Sequence, residues 1–173
     1  MVAQAAFLGL PSLAITDRHG VYGLPRAFEK CRELESSVRL LCGAQVTVHE
    51  NVRAGEQGRH GTSRGKRSPY GTEIVWEPTV QHFAEGPAET LVLLVAEAQG
   101  WKNLCRLLTV GARRGDKAQS LLTVADVAHH ASGLLAIWGV GEGSTLAGQD
   151  PQLWGRRVEV WKDAFANRLY AGL

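Results

Sequence analysis

Neither sign of charge dominates this chain. Its 19 lysines and arginines against 17 aspartates and glutamates leave a formal +2, which argues against a polybasic nucleic-acid module or an acidic tail as its organising feature. No apolar run approaches the ~18–20 residues that cross a bilayer. Met1 to Leu10 places no basic residue ahead of its apolar ones, so no secretory leader and no membrane partner is expected, and a cytoplasmic location is. The three cysteines, Cys31, Cys42 and Cys105, are odd in number and form no CxxC pair. That argues against a disulfide framework or a zinc ribbon and for reduced thiols buried among apolar neighbours. The six histidines show no HxH, HxxxH or HExxH spacing. A GxSxG elbow, a GxxxxGKS/T phosphate loop and an internal repeat are all missing too.

What is present suits one globular domain. The chain has 173 residues, 45% apolar and 21% charged, ordinary values that exclude wholesale disorder. Ser12 to Thr16 (SLAIT) reads as a buried strand followed by turn residues. From Leu24 to Leu34 the residues Leu24, Ala27, Phe28, Cys31 and Leu34 recur at helical spacing. Val38 to Val48 predicts the next strand, and a strand–helix–strand order favours parallel pairing. Leu91 to Ala96 (LVLLVA) predicts a fully buried strand, and Trp101 to Val110 a helix ending near Arg113 and Arg114. Thr123, with Asp126 able to answer it, predicts the cap of a short helix through His130. Gly133 to Trp138 predicts another strand, and a helix starting at Pro151 repeats Val158, Trp161, Phe165 and Leu169. A further strand begins in RLYAGL, so β and α alternate and the chain stops within a unit.

Asn51 to Thr72 interrupts this order. Glycine, serine and arginine dominate there, and five basic residues (Arg53, Arg59, Arg64, Lys66 and Arg67) face one acid, Glu56. The segment predicts an exposed insertion, with order resuming near Glu73 to Val80. Two roles stand open for it: a solvated loop, or a weak contact with a phosphate backbone.

Asp17 is the leading candidate for chemistry, because it closes a buried strand and opens a loop, where parallel sheets place their ligand-binding groups. It either binds a metal or caps the turn that follows. His19, two residues on, either joins it as a ligand suited to zinc or manganese or is simply solvated. The glycines of GVGEG (Gly139 to Gly143) lack dinucleotide-site spacing and read as a surface turn.

The phrases AITDRHGVYGLPRAFEKC, LLCGAQVTV, LVLLVAEAQGWKNLCRLLT and GLLAIW, in that order, resemble the PHP (polymerase and histidinol phosphatase) domain at the N-terminus of bacterial C-family DNA polymerase α subunits, especially the error-prone, lesion-bypass branch. The resemblance covers the chain outside the Arg/Gly-rich insertion, and TDRHGVYG followed by a helix carries most of it. It implies an α/β fold: part of a distorted (β/α)7 PHP-type barrel across residues 1–173. The barrel's first strand, with its HxH motif, and its last units have no counterpart here. Metal-binding members have a histidine at the position of Arg18, a glutamate at that of Gln45 and a histidine at that of Thr90; Asp17 alone is retained. The resemblance therefore implies a vestigial site at Asp17, Arg18, Gln45 and Thr90 and neither catalysis nor a metal cofactor, because guanidinium cannot ligate a cation and an amide ligates weakly. Arg18 is expected to pair with Asp17 in the vacated space. The resemblance also implies a structural segment of an error-prone polymerase whose partners are the remaining polymerase domains, with DNA met only indirectly. Two alternatives remain: a free-standing PHP phosphoesterase using Mn or Zn, and a small nucleic-acid-binding module working through the basic insertion.

Overall fold

The computed structural model describes residues 1–54, 82–115, 119–139 and 151–172. A short helix, α1 (Val2–Phe7), leads into β1 (Ser12–Arg18). Helix α2 (Leu24–Glu33) then crosses over to β2 (Arg39–Ala54), which lies parallel to β1. That pairing follows from the helical crossover, since parallel strands cannot be joined by a tight turn. Helix α2 enters with Pro25 in its first turn, where a missing N–H costs nothing, and sets Ala27 against Ile15 and Val2.

Strand β3 (His82–Val95) runs antiparallel to β2, and the two form the long centre of the sheet. Helix α3 (Ala98–Arg114), a two-residue strand β4 (Leu122–Thr123) and helix α4 (Val124–His129) follow. Strand β5 (Leu134–Trp138) joins β3 antiparallel, and helix α5 (Pro151–Phe165) crosses over to β6 (Leu169–Ala171), parallel to β5. The strand order is β1-β2-β3-β5-β6, with β4 added to β2. The sheet is therefore mixed: each strand pair joined by a single helix is parallel, and the pairs made by β3 are antiparallel.

Residues alternate across a strand, so the register sorts the sheet into two faces. Ile15, Ala44, Val46, Val48, Leu91, Leu93, Leu134, Ala136 and Trp138 share one face, where Leu104 and Leu107 of α3, Val127 of α4 and Trp161 and Phe165 of α5 complete the core. Every helix with core residues packs on that face. The opposite, open face carries Arg18, Gln45, Thr47, His49, Thr90, Val92, Leu94, Leu135 and Ile137. Helix α3 docks closely against the turn before β5: a Cβ on Gly100 would lie 1.9 Å from the Gly133 carbonyl oxygen, and Gly133 itself has φ +72°.

Three expectations are corrected. Strand β2 extends through Ala54, so Asn51 to Ala54 are sheet rather than insertion, and β3 reaches back to His82 to pair with them. The rest of the insertion, and Glu73 to Val80, lie outside the described residues, as does the GVGEG turn after Gly139. All three cysteines are half-buried rather than buried; Cys31 and Cys42 line an apolar cavity of about 580 Å³ between α2, α3 and the sheet.

Candidate functional site

The four positions marked by the resemblance separate onto two faces. Asp17 points to the helix side, where its carboxylate accepts the Gly23 N–H and so closes the loop entering α2. Of the two roles open to Asp17, its geometry is that of the cap. Arg18, next in sequence, emerges on the open face and is exposed. The expected Asp17–Arg18 pair is therefore not formed, because neighbouring residues of a strand point to opposite faces.

On the open face, Arg18 stands beside Gln45 in register, and Thr90 stands opposite Thr47 one step further along β2. Thr90 is buried, and Gln45 is half-buried. His19 leaves the strand with φ +54°, a left-handed conformation uncommon for a residue with a side chain, and its backbone N–H donates to the Gln45 carbonyl at 2.8 Å. Its ring is half-buried, and its Nδ1 meets no hydrogen-bonding partner. Burial pushes His19 below the usual histidine range, and the Arg18 and His49 charges add to the effect; burial alone lowers His49. Both imidazoles are thus held neutral near pH 7. Arg18, His19, Thr47, His49 and residues 119–121 line a polar cleft of about 400 Å³.

This donor set does not suit a divalent cation. A guanidinium repels one, an amide and a hydroxyl bind one weakly, and the one carboxylate of the four faces away. Among the described residues, no group of three or more His, Cys, Asp or Glu side chains is placed to hold a metal. Of the basic residues proposed to touch nucleic acid, Arg53 is exposed at the far end of β2 and paired with Glu85 at 3.1 Å. Arg59, Arg64, Lys66 and Arg67 lie outside the described residues.

The most buried polar cluster was not marked by the sequence. Glu89 of β3 is 2% exposed and lies on the helix face. Its Oε2 accepts from the indole Nε1 atoms of Trp138, at 2.7 Å, and Trp161, at 3.2 Å, while Arg157 Nε lies 2.9 Å from Oε1. Burial pushes the Glu89 carboxyl up; Arg157 and the two indoles pull it back only in part. The signal was available: Glu89 is in phase with Leu91 and Leu93, so an acid stands where the pattern places a core residue.

A helix-backed mixed sheet that gathers strand-end residues on its open face defines a partial α/β barrel of PHP type. The chain belongs to that family: residues 1–171 match the PHP domain. It is 29% identical to the error-prone DNA polymerase of Pseudomonas aeruginosa over 174 residues, covering 100% of this chain and 12% of that protein. The error-prone DNA polymerase of Pseudomonas paraeruginosa is 31% identical over 138 residues, covering 80% of this chain and 10% of the other. The chain therefore spans about a tenth of the length of these relatives. A solved structure of a putative metal-dependent phosphoesterase from Bifidobacterium adolescentis aligns with 99% of this chain and 79% of its own, at 11% identity and a TM-score of 0.41. Among the described residues, no helix is long and apolar enough to cross a membrane.

Proposed function

We propose that this chain is the N-terminal PHP segment of an error-prone, lesion-bypass DNA polymerase α-type subunit, structural in role and without metal-dependent hydrolysis of its own. Its partners are then the remaining polymerase domains, in the cytoplasm, and DNA is met through them. Within this reading, residues 1–173 form one partial barrel. The basic group of Arg53, Arg59, Arg64, Lys66 and Arg67 offers at most a weak phosphate-backbone contact.

One observation carries the structural role: the open face presents Arg18, Gln45 and Thr90 where a cation needs carboxylates and imidazoles, while Asp17 is turned to α2. The relatives support the parental assignment, since error-prone polymerases match the chain along its length. The test is metal analysis of the purified chain after incubation with Mn²⁺ and Zn²⁺, together with an assay on a chromogenic phosphate monoester. The expected result is no stoichiometric metal and no turnover. One bound metal or more per chain with saturable hydrolysis would overturn the proposal in favour of a free-standing phosphoesterase.

A further inference from the structure

We propose that the cleft where β1, β2 and β4 meet binds a phosphate-type oxyanion directly, without a metal ion, through Arg18, His19 and His49. The inference rests on the reading of this face as one that holds no divalent cation, and it names what the face takes instead.

The cleft is a product of the sheet's edge. Strand β1 pairs with β2 as far as Arg18 and Gln45, and β4 takes up the same edge only at Val48. Strand β3 occupies the other edge throughout. Val46 and Thr47 of β2 therefore have no strand neighbour on the β1 side, and the gap opens as the cleft that Arg18, His19, Thr47 and His49 line.

Its chemistry is cationic and donor-rich. Guanidinium is a permanent cation, and the planar fork of Arg18 matches two oxygens of a phosphate. Among the described residues Arg18 makes no ion pair. Of the neighbouring acids, Asp17 is engaged by Gly23 on the other face, and Glu50 is exposed and does not line the cleft. Among the described residues that line the cleft there is no carboxylate. Each neutral imidazole keeps one N–H to donate, and the Thr47 hydroxyl adds another. His19 Nδ1 is buried with no protein partner, an unfilled capacity that buried polar atoms rarely keep. The left-handed backbone at His19 is a strained conformation of the kind retained at ligand sites.

The test uses the full chain in EDTA, titrated calorimetrically with inorganic phosphate, with a 5′-phosphorylated oligothymidylate and with the same oligonucleotide lacking the phosphate. Saturable one-to-one binding of a phosphate is expected, weakened about ten-fold or more by Arg18→Gln. Arg39→Gln, an exposed substitution at the other end of β2, leaves it unchanged, and both variants keep the parent circular dichroism. Tighter binding of the phosphorylated strand than of inorganic phosphate identifies a strand end as the source; equal binding identifies a free small anion. No phosphate binding in EDTA, or equal binding by Arg18→Gln, overturns the inference and leaves the structural role standing. Binding that appears only when Mn²⁺ is added overturns both.

Discussion

Glu89 is a carboxylate placed where the strand pattern calls for an aliphatic residue. Two indole N–H groups and the Arg157 guanidinium converge on it from β5 and α5. The Arg157 Nε sits at ion-pair distance without the alignment of a hydrogen bond, so that contact is Coulombic. Taking one member from such a group leaves the others buried and unpaired, which costs more than the group's net worth. Glu89→Ala is therefore expected to destabilise the chain by about 3–5 kcal/mol in urea denaturation. Glu89→Gln, whose amide oxygen still accepts from the indoles, should lose distinctly less. Equal losses in the two variants would show that the indoles, and not the charge, are irrelevant to the site or that neither is held as described. Asp17 differs in kind: its place at a strand end was legible, but its facing was a matter of register, and register turned it to α2.

Among the elements, α4 was the most legible, because its signal is local. Thr123 and Asp126 stand three residues apart, and the structure forms the reciprocal cap: Asp126 N–H donates to Thr123 Oγ1, and Thr123 N–H donates to the Asp126 carboxylate. Arg114, at the end of α3, adds a two-pronged ion pair to the same carboxylate, so one residue starts α4 and ties α3 to it. Burial alone pushes Asp126 up, but the hydrogen bonds from Arg114 and Thr123 outweigh it and hold the carboxyl below the usual range. A carboxyl depressed in the fold stabilises above its unfolded pKa of about 3.9 and loses that contribution as pH falls through the folded value. Asp126→Asn is expected to cost about 1–2 kcal/mol at pH 7. The gap to the parent should close below pH ~3.9, and a gap that stayed constant with pH would exclude the ionised form as its source. Strands β2 and β3 were located by their apolar runs but not bounded, because Asn51 to Ala54 and His82 to Glu85 form no apolar run and gain their strand conformation from each other.

At the scale of the whole molecule, stability concentrates where β2 and β3 pair and the helices cover them. Val46, Val48, Leu91 and Leu93 are fully buried there. Native-state hydrogen exchange should find their amides the slowest, opening only with global unfolding, while β6, three residues long with two exposed, exchanges early. Comparable protection in β6 and the β2–β3 centre would contradict a core organised around that pair. The sequence by itself determined the α/β class, the order of the longer strands and helices from β1 onward, though not α1 or the two-residue β4, and the α4 cap, because these depend on periodicity and on groups a few residues apart. Only the tertiary structure decided the antiparallel central pair, the opposite facing of Asp17 and Arg18, the cleft between β1 and β4, and the burial of Glu89 beneath two tryptophans and an arginine. Those features depend on register and on contacts as distant as residues 89 and 161, where a one-residue shift exchanges the two faces and no local pattern specifies the choice.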